Sequence, residues 1–227
     1  MAIVIGIKGD VSTGKSTSIA TLDPKTTLVI NYLKSKDLPF KGARKMYPAN
    51  VGVKNGGNFV SPKAETIPLI LKDDAVMSRF KVVVVDDLCY TMTSEYMDKA
   101  NQRGFDKYVT LAANFYNILK AAQECKAEYV VLMLHVERVY DGADVIDSKI
   151  KTVGKMIDNT FNAEGLFTIL LQTDVKFSEE GMPIYQFCTN KEFGISAKSP
   201  MGMFPQRIPN DLKLVIEDSE KYYNEEF

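Results

Sequence analysis

The chain has 227 residues, of which 45% are hydrophobic and 25% charged, and its formal net charge is −1. This length suits one large α/β domain, and the apolar fraction excludes an intrinsically disordered chain. A charge this close to zero gives no whole-molecule argument for nucleic-acid binding, although a local basic patch stays compatible with it. Cys89, Cys125 and Cys188 form no CxxC pair, which argues against a zinc site and against a disulfide framework.

Neither an export signal nor a membrane span is visible in the sequence. The apolar run at residues 1–7 ends at Lys8–Asp10, too early for a signal peptide. No stretch approaches the ~20 apolar residues that a transmembrane helix needs. We therefore expect a soluble, cytoplasmic protein with no membrane contact.

Short apolar runs alternate with longer segments of helical periodicity. Five runs rich in β-branched residues predict strands: Ala2–Ile7, Thr26–Asn31, Val82–Val85, Tyr129–His135 and Leu166–Leu171. Runs that are apolar at every position are typical of strands buried on both faces of a parallel sheet. Apolar residues recur on one face of Tyr108–Ala122, which predicts a helix. The alternation predicts an α/β fold, a mostly parallel sheet flanked by crossover helices.

The pattern changes near the end of the chain. The runs Leu166–Thr173 and Pro183–Cys188 flank a polar turn at Ser178–Gly181, which predicts an antiparallel hairpin at the sheet edge. A last helix is predicted to follow Pro209–Asn210 because apolar positions then recur at helical spacing.

Two segments have the composition of long loops. Lys34–Pro68 is rich in glycine and proline, and Asp141–Lys155 is polar and charged. Loops of this length in a compact domain are often functional or mobile. Since no linker marks a boundary, we interpret residues 1–227 as a single domain.

The strongest motif is a predicted phosphate loop at Gly9–Thr17. Residues 9–16, GDVSTGKS, match G-x-x-x-x-G-K-[ST] at every fixed position, with a predicted strand before them and a short helical segment, Lys15–Thr21, after them. A chance match in a glycine- and serine-rich turn would not require that context. The predicted nucleotide-binding residues are Gly9, Asp10, Val11, Ser12, Thr13, Gly14, Lys15, Ser16 and Thr17.

The chemistry of a phosphate explains these residue types. Glycines let successive N–H groups turn toward one anionic centre. Lys15 is expected to reach the β- and γ-phosphates of ATP, and the hydroxyl of Ser16 is expected to ligate Mg²⁺. Thr17 is expected to add a contact to the α-phosphate.

A second motif supplies acidic groups. Residues 81–87, KVVVVDD, predict a strand in the centre of the sheet with Asp86 and Asp87 at its carboxyl end, where ligands bind in open α/β sheets. Asp86 is the predicted Mg²⁺ partner, directly or through water. Asp87 is a candidate to orient the attacking water. The alternative is an Asp-Asp turn that simply leaves a buried strand.

The sequence leaves the catalytic base open. The strand after the predicted phosphate loop ends at Asn31–Tyr32 and carries no acid there. Asp87, Glu65 or Glu137 could serve, or hydrolysis could be slow. His135 is the only histidine, and its place at the end of a predicted strand makes it a candidate γ-phosphate sensor. A core or surface histidine is the alternative.

Basic residues indicate possible contacts to nucleic acid or to a neighbouring subunit, less specifically than the two motifs indicate a nucleotide site. Lys149, Lys151 and Lys155 are candidate contacts to a DNA backbone, although a solvated lysine face would have the same composition. A second basic run, 34–45, carries interleaved aromatic residues, as single-stranded nucleic acid favours. Lys198 could complete a nucleotide site in a neighbouring subunit, or lie in a plain capping loop.

Taken together, several strings resemble a group of bacteriophage P-loop ATPases that are RecA-like. The strings are the phosphate loop, LPFKG at 38–42, VVVVDD at 82–87, KTVGKM at 151–156, AKSPMGMF at 197–204 and IPNDL at 208–212. The resemblance implies a RecA-like core, ATP and Mg²⁺ binding, a homo-oligomer and a role in phage DNA recombination or replication in the host cytoplasm. Single-stranded DNA and phage replication or recombination proteins are then candidate partners. The missing acid after the second strand departs from the RecA-like pattern.

The resulting hypothesis is a RecA-like ATPase with Lys15, Asp87 and His135 as catalytic residues and Ser16 and Asp86 as metal ligands. Hydrolysis is expected to switch Asp141–Lys155 between ordered and loose states. A nucleotide-dependent switch or assembly factor without hydrolysis is an alternative, which the missing acid favours. A small-molecule kinase is another, although the five arginines are scattered along the chain.

Overall fold

The structure is a computed structural model, and it describes residues 1–33, 36–50, 52–60, 63–153 and 162–225. The strands are β1 (Ile3–Gly9), β2 (Thr27–Asn31), β3 (Ala49–Asn50), β4 (Gly57–Val60), β5 (Val82–Asp86), β6 (Tyr129–Asp141), β7 (Asp144–Ile150), β8 (Ile169–Phe177), β9 (Pro183–Cys188) and β10 (Arg207–Pro209). The α-helices are α1 (Ala43–Met46), α2 (Thr66–Leu71), α3 (Asp74–Met77), α4 (Cys89–Asp98), α5 (Asp106–Glu124) and α6 (Leu212–Asn224). Short 3-10 helices occupy Ser16–Thr21, Val53–Asn55 and Ala163–Leu166.

The strands form one mostly parallel sheet. Its order is β10-β9-β8-β1-β6-β5-β2-β4-β3, and β7 pairs only with β6. Pairs between β8 and β3 in this order are parallel. The pairs β8–β9, β9–β10 and β6–β7 are antiparallel. The predicted α/β fold with a mostly parallel sheet and a C-terminal antiparallel hairpin is therefore confirmed.

Helices cover both faces of the sheet, so the apolar strands are buried from two sides. Along β5, Val83 and Val85 pack in one cluster with α2, α3, α4 and α5, and Val82 and Val84 pack in the other with α1, α6 and the Ser16–Thr21 helix. This double burial explains why the strand reads as a continuous run of valines instead of an alternating pattern. Among the described residues, no helix combines the length and the apolar character needed to cross a membrane.

Two predictions of irregular structure were wrong in part. Within Lys34–Pro68 the chain forms β4, which pairs in parallel with β2; its sequence, GNFV, lacks the apolar run that marks the other strands. Within Asp141–Lys155 the chain forms β7, which pairs with a long extension of β6. There the inward position Ser148 is polar and is satisfied by a hydrogen bond to Gln172, so hydropathy gave no sign of a strand.

Two strands differ most clearly from their predicted bounds. The strand predicted to end at His135 continues to Asp141. The strand predicted at Leu166–Leu171 begins only at Ile169 and then runs to Phe177, because Ala163–Leu166 closes a 3-10 turn first.

Candidate functional site

The polar side chains predicted for the site gather at the carboxyl ends of four adjacent parallel strands. In the register of the sheet, Gly9 of β1 lies opposite His135 of β6, and Asn31 of β2 lies opposite Asp86 of β5. A cavity of about 980 Å³ opens at this edge. It is lined by the loop after β1, by residues that follow β2 and β5, by β6, and by a wall from β9 and the start of α6.

The loop after β1 turns tightly over the sheet edge. Ser12 has φ of 64° and Gly14 has φ of 93°, both in the left-handed region. A Cβ at Gly9 would lie 1.7 Å from Oγ1 of Thr173, and a Cβ at Gly14 would lie 2.1 Å from Nδ2 of Asn210. The packing of the loop therefore requires glycine at both fixed positions of the motif, and at Gly14 the left-handed conformation requires it as well.

Lys15 is buried at the base of this loop. Its Nζ donates hydrogen bonds to the carbonyl oxygens of Gly9, at 2.8 Å, and Asp10, at 2.6 Å. Burial lowers the pKa of Lys15, and the charges of Asp86 and Asp87 oppose that effect. The ammonium is held by weak, neutral acceptors next to the cavity, so an anion there would find a cation already in place.

Ser16 and Asp86 connect the loop to the central strand. The hydroxyl of Ser16 donates to Oδ1 of Asp86 at 3.0 Å. Asp86 is fully buried, and its Oδ2 has no hydrogen-bond partner among the described residues. Burial, and next the charge of Asp87, raise the pKa of Asp86. A buried carboxylate with a free oxygen beside a hydroxyl fits a hard divalent cation such as Mg²⁺.

Asp87 differs sharply from its neighbour. Its φ of 55° is left-handed, an uncommon conformation for a side-chain-bearing residue. Its carboxylate is nearly buried, pairs with the ammonium of Lys36, and lies 3.5 Å from Nε2 of His135. Burial alone would raise the pKa of Asp87, but His135 and Lys36 outweigh burial and hold it below its usual range.

His135 lies at the cavity where the parallel part of β6 ends. Its backbone N–H donates to Sγ of Cys89 at 3.3 Å, and its ring meets Tyr90 edge-on at 5.3 Å between centroids. His135 was predicted to end its strand, whereas the strand continues to Asp141. The ring is held by packing and by the backbone, with Nε2 directed toward the Asp87 carboxylate.

The wall opposite the acidic pair was not predicted. Nδ2 of Asn210 donates to the carbonyl of Gly14 at 3.0 Å, and Tyr185 and Asp211 also line the cavity. Asp211 caps α6 by accepting from the N–H of Leu214 at 3.1 Å. The only signal in the sequence was the IPNDL string, which contains Asn210 and Asp211 but gives no reason to place them here.

Lys149, Lys151 and Lys198 lie outside the cavity lining, whereas Lys36, from the second basic run, belongs to it. Nζ of Lys149 is 3.7 Å from Oε1 of Glu137. The N–H of Lys151 donates to the carbonyl of His135 at 2.8 Å, so this backbone is adjacent to the site although its side chain is exposed. Lys198 forms a backbone bridge with Leu170. Lys155 and Lys34 lie outside the described residues.

No model of a known protein family matches this chain, and no curated protein matches its sequence. Within the described part of the chain, no group of three or more histidine, cysteine, aspartate or glutamate side chains is arranged to hold a metal ion. A cation at Asp86 would therefore need ligands beyond the carboxylates, such as the Ser16 hydroxyl, water and phosphate oxygens.

Proposed function

We propose that this chain is a RecA-like P-loop ATPase that binds ATP with Mg²⁺ at the cavity above Lys15. The observation that carries the proposal is the hydrogen bond between Ser16 and Asp86, two residues that are 70 positions apart. It unites the hydroxyl and the carboxylate expected of a Mg²⁺–phosphate site under the same glycine-rich loop that buries Lys15. Each group would be common by itself, but their meeting at one sheet edge supports a nucleoside triphosphate as the ligand.

The order of the strands supports the RecA-like interpretation. β6 lies between the strand that leads into the glycine-rich loop and the strand that carries Asp86. This inserted strand separates the loop from the acidic pair and presents His135 between them. A side chain in that position is suited to contact a terminal phosphate, which is the sensor role proposed for His135.

Hydrolysis would depend on Asp87. Its ionised carboxylate is a hydrogen-bond acceptor at the cavity, as a group that orients water must be. The experiment is ATP binding and turnover by the purified chain with Mg²⁺, beside Lys15→Ala and a control, Lys25→Ala, at an exposed lysine between the loop and β2. We expect Lys15→Ala to lower ATP affinity at least tenfold and to abolish turnover, with Lys25→Ala unchanged. Equal ATP binding by Lys15→Ala would contradict the proposal.

A role in phage DNA recombination or replication, as a homo-oligomer on single-stranded DNA, is the biological part of the proposal, and it is supported by the resemblance of the sequence strings. The β6–β7 hairpin offers Lys149 and Lys151 beside the site, with Lys151 joined to His135 through the backbone. Turnover should then rise when single-stranded DNA is added. An ATP turnover rate that does not change with DNA would contradict the proposed role on DNA, and it would not contradict the proposed nucleotide site.

A second candidate is a nucleotide-dependent switch with negligible hydrolysis. Two observations favour it. Asp87 is paired with Lys36 and lies 3.5 Å from Nε2 of His135, and the residue at the end of β2 is Asn31 instead of an acid. Tight ATP binding with no phosphate release, with or without DNA, would favour this function over the ATPase. The kinase alternative gains no support from an arginine cluster, because Arg44 and Arg207 pair with carboxylates outside the cavity lining and Arg138 pairs with Asp10 of the glycine-rich loop.

A further inference from the structure

Lys36 enters the cavity from a direction that the sequence motifs do not explain. It follows β2, lines the same cavity as Lys15, and pairs its ammonium with Asp87. Its side chain is 39% exposed, whereas that of Asp87 is 2% exposed. The lysine therefore covers the acid from the solvent side, at the position from which a ligand would approach.

A buried amide fixes the backbone that delivers Lys36. Asn31 is fully buried at the end of β2, in register with Asp86. Its Nδ2 donates to the carbonyl of Lys36 at 3.0 Å, and its Oδ1 accepts from the N–H of Leu33 at 3.0 Å. One side chain thus turns the chain back toward the acidic pair. Asn31 occupies the position where the sequence lacks an acid, and it holds the backbone of the cationic Lys36.

The charges around Lys36 keep it available as a cation. Burial would lower the pKa of Lys36, but the charges of Asp86 and Asp87 outweigh burial and raise it. Two ammonium groups, on Lys15 and Lys36, therefore line the cavity, and the charges of Asp86 and Asp87 act on both of them. Lys36 also lies close enough to Lys15 for its charge to lower the pKa of Lys15, so the two ammonium groups share one end of the cavity lining with Asp87.

We propose that Lys36 binds the terminal phosphate of a nucleoside triphosphate and exchanges its pair with Asp87 for that contact. The inference rests on the proposed function and adds a residue that distinguishes triphosphate from diphosphate. A terminal phosphate offers several charged acceptor oxygens to an ammonium, so it can replace a single carboxylate. When Lys36 leaves, the carboxylate of Asp87, which lies 3.5 Å from Nε2 of His135 in this structure, becomes free to accept a hydrogen bond from water.

The test is calorimetric titration with Mg²⁺ and either ADP or a non-hydrolysable ATP analogue that has all three phosphates. The variants are Lys36→Met, Lys36→Arg and a control, Lys41→Met, at an exposed lysine of the same segment outside the cavity lining. We expect Lys36→Met to weaken the triphosphate analogue about tenfold and to change ADP affinity less than about threefold. Lys36→Arg should retain most of the preference for the triphosphate analogue over ADP, and Lys41→Met should retain all of it.

A double variant separates two causes of a lost preference. Without Lys36, the unpaired charge of Asp87 could itself repel a terminal phosphate, so Lys36→Met/Asp87→Asn removes both charges. If the preference for the triphosphate stays lost in the double variant, Lys36 itself makes the contact. If the preference returns, or if Lys36→Met weakens both nucleotides equally or neither, the inference is overturned. Absence of binding by the unmodified chain would instead refute the proposed function.

Discussion

The ammonium of Lys8 lies 2.6 Å from Oε1 of Glu164, and Lys8 is fully buried. Lys8 immediately precedes Gly9, whereas Glu164 belongs to the 3-10 turn before β8. The lysine also donates to the carbonyl of Ser148 in β7 at 3.0 Å. The same carboxylate accepts from the N–H of Ile150 at 3.0 Å and from Ser196 at 3.2 Å. A charged pair therefore ties the β6–β7 hairpin to the strand that leads into the glycine-rich loop.

Removal of Glu164 should be costly, because it would leave a buried ammonium without its counterion. We expect Glu164→Ala to lower the free energy of unfolding by about 3 kcal/mol. Glu179→Ala, at an exposed acid in the β8–β9 turn, serves as the control and should cost under about 0.5 kcal/mol. Denaturant unfolding measures both. Removal of both charges, in Lys8→Met/Glu164→Gln, should cost less than Glu164→Ala alone; an equal loss would show that the charge itself is unimportant.

Asp86 should be dispensable for folding but required for Mg²⁺. Its carboxylate is fully buried, and one of its oxygens has no partner in the part of the chain that the structure describes, so replacement by a neutral isostere relieves a desolvation cost. We expect Asp86→Asn to leave the unfolding free energy of the ligand-free chain within about 1 kcal/mol, or to raise it. ATP affinity should then no longer respond to replacement of Mg²⁺ by a chelator. A folded variant that keeps its Mg²⁺ response would rule out the metal role, and a variant that unfolds would contradict the expectation for stability.

Gly9 should tolerate no side chain. A Cβ there would lie 1.7 Å from Oγ1 of Thr173 and 2.9 Å from Oγ1 of Thr13, so the loop or β8 must move. We expect Gly9→Ala to cost about 1–3 kcal/mol of stability and to weaken ATP binding together with it. Gly165→Ala is the matched control, since its Cβ would meet nothing within 4 Å. Thermal unfolding with and without ATP would show whether both effects occur.

Asn210 should act through the glycine-rich loop. Its Nδ2 is the donor to Gly14, and its Oδ1 is buried without a partner among the described residues. We expect Asn210→Ala to cost about 1 kcal/mol of stability through the lost hydrogen bond and to weaken ATP several-fold, because Gly14 is held less firmly. Asn224→Ala, at the exposed end of α6, is the control. Unchanged ATP affinity in Asn210→Ala would show that this wall does not support the site.

Local patterns predicted the framework of the site. The run of valines at 82–85 predicted a strand buried on both faces, and the structure confirms it with helices on either side. Since carboxyl ends of parallel strands share one edge, the sequence could also predict that the loop, Asp86 and His135 lie near one another. The strand could be predicted because hydrophobic periodicity is a property of a short segment, and the loop motif could be recognised because glycine spacing is another.

Contacts between distant polar residues were decided only by the tertiary structure. In the sequence, Lys36 was one cation of a basic run. In the structure it pairs with Asp87, 51 positions away, because the buried amide of Asn31 holds the backbone of Lys36. The segment of β7 was predicted to be a loop because it is polar. It forms a strand, and its inward side chain Ser148 donates a hydrogen bond to Gln172 of another strand. A hydrogen bond or ion pair depends on where two groups meet in space and leaves no periodic pattern along the chain. The sequence by itself determined the layered α/β framework and the loop motif; the packing of the chain decided which charges face the cavity and which neutralise one another.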